Sequence, residues 1–310
     1  FKVFGSGYTS ARIFGAIWTL LCIPVLFDLV KNQSGDKKDH TVRAYLTCLV
    51  FILIPALIKK TRFPGLDTPL MFFCLLSVFF FLKRNQHRYN FIWAGLCFGL
   101  ALLTKGPMAL LIIFGIMGGS LFVRDWKWIT EAKSWVMLLT GSMLFSLWPL
   151  LLAINGKLNI FYQYLDFTFF HTIRDGRGGE SSFFTYFSFL FTNALPWMLL
   201  FLVFIWQGLK GKRITSSLGL FATGFFLVGL LLLSLQNFKY SHYLLPLYPF
   251  FAICVADILV DYVGKWFEKI HHYTRGITVL LALVLLVFPI GVKSSRDADI
   301  FPMLEKMRTL

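Results

Sequence analysis

Long apolar segments recur along almost the whole chain, and they constrain its fold more than any other feature. Polar connections separate ten mostly hydrophobic stretches at about 13–30, 43–58, 68–83, 91–104, 107–123, 135–154, 184–206, 217–236, 246–263 and 277–292. A helix needs about 20 such residues to cross the apolar part of a bilayer, and the ten-residue alternation of lipid-facing strands is absent. The sequence therefore predicts an all-α fold, a polytopic transmembrane helical bundle of about ten spans.

The composition excludes a soluble enzyme and a disordered chain. Charged residues make up 15% of the 310 residues and aromatic residues 18%, including 36 Phe, whereas a soluble domain carries about 25% charged residues. The net charge is +15, but the basic residues lie between apolar runs. This pattern indicates a topology signal and contact with membrane lipid headgroups rather than a nucleic-acid partner.

The five cysteines all fall inside apolar runs, and none belongs to a CxxC or Cys/His pair. We therefore expect buried free thiols and no disulfide framework or zinc site.

The basic residues also predict the orientation of the bundle. Connections near 31–43, 83–88, 124–133, 210–213 and 265–275 hold twice as many Lys and Arg as the other connections, so they should be cytoplasmic. Both termini then lie outside. Because the chain begins with Phe and shows no signal peptide, an external N-terminus implies at least one upstream span. We expect an N-terminally incomplete transmembrane domain over 1–292, with an outer loop at 155–183, and an extracytoplasmic polar tail over 293–310.

Unusual polar residues concentrate in the outer connections. Asp67 begins the third span, where an N-cap is the simplest interpretation, although a carboxylate there could also position a hydroxyl or bind a metal. Lys105 lies in a tight turn between the fourth and fifth spans, where it either snorkels to the interface or holds a phosphate. The 155–183 loop should hold an amphipathic interfacial segment, and its Arg174 suits bidentate phosphate contact or simple headgroup contact.

The entry to the ninth span combines a lysine, a histidine and three tyrosines with two prolines. These residues could bind a polar headgroup or form an ordinary aromatic belt. Asp257 lies deeper in this span, and an acid at such a depth is a functional candidate by default. Partnering to a neighbouring helix or to water on the inner side is favoured over catalysis for Asp257.

Four segments, in order, resemble a known family: Phe4–Ile13, Arg62–Phe73, Gly95–Pro107 and Lys239–Pro249, with Pro196-Trp197 fitting as well. The chain resembles the glycosyltransferase family 39 group of the GT-C superfamily, most closely its aminoarabinose-transferase (ArnT)-like branch. The resemblance implies an enzyme that moves a sugar from a polyprenyl-phosphate donor to a lipid (lipid A-like), glycan or protein acceptor. It implies an inverting reaction at the extracytoplasmic face of a bacterial inner membrane.

The resemblance also implies roles for particular residues. Lys105, Arg174 and Lys239 are expected to bind the donor phosphate. The substrate pocket is expected to include His171, Glu180, Tyr240, His242, Tyr243 and Tyr248. The family's main catalytic acid lies in a first outer loop upstream of the segment that matches Phe4, so Asp67 receives a supporting catalytic role. The chain as given is then expected to lack its base and to be an inactive fragment.

Two other functions stay open at this point, a secondary transporter or flippase and a non-catalytic membrane homologue. A transporter should place ionisable groups near the midplane, whereas most polar groups here lie at the outer face. No cofactor is assigned. A divalent metal is possible, but Asp67, His171, Glu180 and His242 show no recognisable ligand spacing. The sugar and the acceptor are not identified by the sequence.

Overall fold

The computed structural model describes residues 8–33, 40–61, 65–166, 182–210, 216–236 and 239–260, together with 276 and 280, and this part of the chain is helical without strands. The helices are α1 (Tyr8–Gln33), α2 (His40–Ile52), α3 (Pro55–Lys60), α4 (Asp67–Leu82), α5 (Asn90–Lys105), α6 (Leu110–Val123), α7 (Lys127–Thr130), α8 (Ala132–Ile154), α9 (Leu158–Leu165), α10 (Thr185–Asn193), α11 (Trp197–Leu209), α12 (Ser217–Leu235) and α13 (248–260). Two 3₁₀ segments, Gly106–Ala109 and Ser241–Leu247, precede α6 and α13. The predicted all-α membrane fold is confirmed.

The predicted count of ten spans is not confirmed. In the described part of the chain, five helical stretches are long and apolar enough to cross a membrane: Ile13–Asn32, Asn90–Val123, Ala132–Ile154, Ser217–Leu235 and Ser241–Val260. The pair α10–α11, bent by 119°, makes a sixth if it is counted as one span. Helices α2 and α4 are apolar but shorter. The tenth predicted span and the 293–310 tail lie outside the described residues, except for residue 280.

The stretch Asn90–Val123 reverses direction at Gly106. Lys105, at the end of α5, forms an ion pair with Asp67 at the start of α4. Arg84, just beyond the end of α4, forms one with Asp125, just beyond the end of α6. Helix α5 thus ends beside the start of α4, and α6 ends beside the end of α4. The chain must therefore turn back at Gly106. This reversal agrees with the tight turn that the sequence predicts between its fourth and fifth apolar stretches.

Close backbone contacts hold the bundle together. Helix α1 packs against α2 and α4, α4 against α5, α5 against α8, and α6 against α12. A Cβ added to Gly224 of α12 would lie 2.2 Å from the carbonyl oxygen of Gly118 in α6. A Cβ on Gly95 of α5 would lie 2.4 Å from the Met137 carbonyl of α8. Small residues allow membrane helices to approach this closely and to gain dispersion contacts.

A buried ion pair ties three helices at the end of the bundle opposite Lys105. Arg43 Nε of α2 lies 3.1 Å from Asp257 Oδ1 of α13. The Ser216 hydroxyl donates to Asp257 Oδ2 at 2.7 Å and accepts from the Gly219 amide at 2.9 Å, which caps α12. We call this the Asp257 end. The predicted partnering of Asp257 with a neighbouring helix is confirmed, and the five cysteines are free and buried, as expected.

Candidate active site

The turn after α5 fixes the position of Lys105. Gly106 follows with φ 53° and ψ −120°, a backbone conformation that residues with a Cβ rarely adopt. A Cβ at this position would also lie 2.0 Å from the hydroxyl oxygen of Tyr164 in α9. Glycine is thus required twice, once for the backbone and once for the close approach of Tyr164. Helix α9 consequently packs onto the turn that carries Lys105, and we call this region the Lys105 end.

The Lys105 ammonium is held between a carboxylate and an aromatic ring. Its Nζ forms an ion pair with Asp67 Oδ1, and the side chains of Lys105 and Asp67 are 23% and 15% exposed. The same Nζ lies 4.6 Å from the centroid of the Tyr243 ring, within the range of a cation–π contact. The pair is therefore largely desolvated, yet it still reaches solvent.

The predicted N-cap role of Asp67 was wrong. The N-cap residue of α4 is Leu66, with no side-chain cap, and Asp67 is the first residue of the helix. Its carboxylate is in the first turn, where the helix dipole favours a negative charge, and it pairs with Lys105. The sequence could not reveal this because the partner lies 38 residues further along the chain.

Three aromatic side chains line the approach to α13. The Tyr240 and His242 rings stack with centroids 5.3 Å apart, and His242 and Tyr243 meet edge to face at 4.8 Å. Asp67, Lys105 and Lys60 all act electrostatically on the His242 ring. Residues from α3, α4, α5 and the 3₁₀ segment before α13 therefore meet at one place.

Positive charge exceeds negative charge in this cluster. Burial and the neighbouring Lys59 ammonium lower the pKa of Lys60, and the Asp67 carboxylate partly opposes that shift. Lys105 pairs with the Asp67 carboxylate, and the Lys60 ammonium also feels its charge. Among the described residues of this cluster, two cations are thus balanced by one carboxylate. Such a site favours an additional anion. Lys60 was not among the predicted site residues, although the basic run before Asp67 was a signal. Tyr164 was not predicted either, and no motif in the sequence marks it.

The other predicted site residues have different surroundings. Lys239 is 4% exposed, and its Nζ donates to the Gln236 carbonyl at 2.6 Å. Tyr248 is fully buried in the hydrophobic core. His171, Arg174 and Glu180 lie outside the described residues, as does the rest of 167–181.

Helix α9 provides the helical segment expected within the 155–183 loop. Within the described ranges, no group of three or more His, Cys, Asp or Glu side chains could hold a metal ion.

Sequence comparisons connect this arrangement to known proteins. A family model described as dolichyl-phosphate-mannose-protein mannosyltransferase matches residues 1–149. An undecaprenyl phosphate-alpha-4-amino-4-deoxy-L-arabinose arabinosyl transferase from Edwardsiella ictaluri is 23% identical over 94% of this chain and 54% of its own length. The chain is thus similar to ArnT-like membrane glycosyltransferases, as its motifs predict.

The fold agrees with this ArnT-like relationship. The crystal structure of ArnT from Cupriavidus metallidurans bound to undecaprenyl phosphate superposes with a TM-score of 0.67, at 21% identity, over 92% of this chain and 57% of that one. An uncharacterised protein from Aquifex aeolicus is 25% identical over 98% of this chain and 58% of its own length. The chain therefore spans a little more than half the length of these relatives.

Proposed function

We propose that this chain belongs to an integral-membrane glycosyltransferase that moves a sugar from a polyprenyl-phosphate donor to a lipid, glycan or protein acceptor. The reaction takes place at the extracytoplasmic face of a bacterial inner membrane. The observation that carries the proposal is the Lys105 ammonium, held by Asp67 and Tyr243 in a cluster with excess positive charge. The arabinosyl transferase relative, whose name includes undecaprenyl phosphate, supports this donor class.

Lys105 is suited to hold the donor phosphate. An ammonium has three N–H donors, and the contacts with Asp67 and Tyr243 leave room for a phosphate oxygen on the exposed side. When the bond between the sugar carbon and the phosphate oxygen breaks, negative charge grows on the departing phosphate. A cation already fixed in place stabilises that charge without a reorganisation cost.

Asp67 acts in this proposal as a positioning residue. Its carboxylate faces Lys105, so it sets the direction of the ammonium rather than accepting the proton of the acceptor hydroxyl. The proposed reaction inverts the sugar carbon, because the acceptor attacks opposite the leaving phosphate. We propose that a residue other than Asp67 acts as the general base.

The remaining assignments belong to the same proposal. Tyr240, His242 and Tyr243 present ring faces beside Lys105 that could contact the sugar. We retain Arg174 and Lys239 as donor contacts and His171, Glu180 and Tyr248 as pocket residues. The transmembrane domain is proposed to cover 1–292 and the polar tail 293–310.

The test uses the full-length protein with a labelled polyprenyl-phosphate sugar. Lys105→Ala should lower kcat/KM by about ten- to a hundred-fold, because a hydrogen bond to a charged group contributes about 1.5–3 kcal/mol. Lys105→Arg should keep part of the activity because it keeps the charge. Lys157→Ala is the matched control, since Lys157 is an exposed lysine just before α9. Equal activity of the Lys105→Ala and Lys157→Ala variants would contradict the proposal.

A further inference from the structure

A cavity lies at the bundle end opposite Lys105, between the ends of α4 and α6 and the start of α12. Its volume is about 230 Å³, enough for several water molecules of about 30 Å³ each. Residues that line it are Phe81, Leu82, Arg84, Asn85, Ser120, Val123, Asp125, Ser217, Leu218 and Phe221. One wall is apolar and the other carries charges and hydroxyls, so the lining suits an amphipathic ligand.

Arg84 lines this cavity with a guanidinium group whose hydrogen-bond donors are not all satisfied. Its side chain is 9% exposed, one terminal nitrogen pairs with Asp125, and the other donates to the Phe81 carbonyl at 3.5 Å. The Nε atom is buried and has no hydrogen-bond partner among the described residues. A buried guanidinium N–H without a partner carries a desolvation cost. Because Arg84 also lines the cavity, a phosphate there would meet a guanidinium whose donors are not all satisfied.

The beginning of α12 supplies a second feature that favours an anion. Ser217 and Leu218, the first two residues of this 19-residue helix, line the cavity. The first turn of a helix presents amide N–H groups without intrahelical partners and the positive end of the helix dipole. A phosphate placed between Arg84 and this helix start would receive donors from both sides.

Asp125 decides which class of phosphate compound fits. Its side chain is 39% exposed, so part of its carboxylate faces solvent as well as Arg84. A purely anionic ligand would meet repulsion from this carboxylate. A zwitterionic ligand would satisfy both charges, with its phosphate on Arg84 and α12 and its ammonium on Asp125.

We propose that this cavity binds the headgroup of a zwitterionic phospholipid with a primary ammonium, of the phosphoethanolamine type. The apolar wall formed by Phe81, Val123 and Phe221 would contact the first part of the acyl chains. Helices α4, α6 and α12 are all apolar and all have an end here, which places the cavity at the membrane surface. By the distribution of Lys and Arg, this surface is the cytoplasmic one.

The experiment measures lipid retention by the purified full-length protein in mixed micelles, using native mass spectrometry. Phosphatidylethanolamine should be retained at least about ten-fold better than phosphatidylcholine, whose methylated nitrogen has no N–H to donate, and better than phosphatidylglycerol, which has no cation. Soluble phosphoethanolamine at the same concentration should not compete. If it competes equally, the ligand is the free headgroup compound and the lipid proposal is overturned.

Two variants with different effects on lipid preference test the residues of the site. Arg84→Gln should lower retention of phosphatidylethanolamine by about ten-fold, whereas Arg88→Gln, an exposed arginine in the same connection, should change it less than two-fold. Asp125→Asn should weaken phosphatidylethanolamine retention and strengthen that of phosphatidylglycerol. This exchange of preference tests the site even if Arg84→Gln fails to fold. Equal effects of Arg84→Gln and Arg88→Gln, or an unchanged preference in Asp125→Asn, would overturn the proposal.

Discussion

The two ends of the bundle each hold an acid paired with a base, but the surroundings of the pairs differ. Asp67 and Lys105 are 15% and 23% exposed, and the ammonium also contacts the Tyr243 ring. Asp257 and Arg43 are 2% and 7% exposed, and Ser216 binds the second carboxylate oxygen. One pair can accept a further ligand, whereas the other is enclosed by three helices.

This difference is why we propose a functional role for the Asp67–Lys105 pair and a structural role for the Arg43–Asp257 pair. A buried pair is costly to break because removal of one partner leaves an unpaired charge in a dry environment. A pair that still reaches solvent is less costly to separate, because water can hydrate the remaining charge, and a ligand can approach it from the same side. In the sequence, Asp257 is the more unusual acid because it lies within an apolar segment. Asp67, at the membrane surface, is nevertheless the better candidate for a role in catalysis.

The largest expected effect tests the enclosed pair. Asp257→Ala should lower the free energy of unfolding by about 3–5 kcal/mol, because Arg43 is left buried without its carboxylate. Unfolding in mixed micelles, followed by tryptophan fluorescence, measures the change. Asp67→Ala is the matched control and should cost less than Asp257→Ala, because Lys105 keeps access to solvent after its partner is removed. The double variant Arg43→Met, Asp257→Leu should recover part of the loss. Similar losses for Asp257→Ala and Asp67→Ala would remove the distinction between the two ends.

A smaller effect is expected at the turn that carries Lys105. Gly106→Ala should destabilise the protein by about 1–3 kcal/mol through backbone strain, and it should displace Tyr164 from the turn. Gly156→Ala is the control, because Gly156 also has a positive φ, 66°, but nothing lies within 4 Å of its added Cβ. The melting temperature of each variant in micelles measures the cost. A greater loss for Gly156→Ala would show that contact with Tyr164 is unimportant.

The smallest expected effect is a change in titration at the Lys105 end. Burial and Lys59 lower the pKa of Lys60 below its usual value, so between these two values the unfolded chain binds more protons. The charged Lys60 therefore opposes folding below the lowered pKa, and this cost disappears as the pH rises through the window. Asp67→Asn should lower the pKa of Lys60 further, since the Asp67 carboxylate raises it.

Competitive acylation measured by mass spectrometry follows this titration. Lys60 should gain reactivity at lower pH than an exposed lysine that serves as the internal reference, such as Lys157. A higher pKa of Lys60 in the Asp67→Asn variant would contradict the electrostatic connection between α3 and α4.

Much of the helical layout could be predicted because hydropathy is a property of contiguous residues. The first nine apolar stretches correspond to helical segments in the described part of the chain, and the reversal at Gly106 follows the predicted turn. The boundaries were less accurate where helices break. The stretch predicted over 184–206 is divided by a 119° bend between α10 and α11. The count of ten spans is not confirmed, because α2 and α4 are shorter than a full span and Asn90–Val123 counts as one stretch among the described residues.

The candidate site was predicted only in part. Lys105, His242 and Tyr243 were selected for their types and their level in the membrane, and the structure brings them together with Asp67. The pairing itself was not predicted. Asp67 was assigned to its own helix terminus, since local capping is the commonest use of an aspartate before an apolar run. Lys60 was overlooked because its importance comes from burial beside other charges.

The sequence alone determined that this is a helical membrane protein with polar residues gathered at one surface, because long apolar segments have no other stable arrangement in a bilayer. It also contained the motifs that resemble the ArnT-like glycosyltransferases. Only the tertiary structure decided which charges share a site. Asp67 meets Lys105, Arg43 meets Asp257 and Arg84 faces the start of α12 because of the way the helices pack. Helix packing depends on the fit of whole surfaces, such as the glycines of α6 and α12, and therefore joins residues whose separation in the chain carries no local signal.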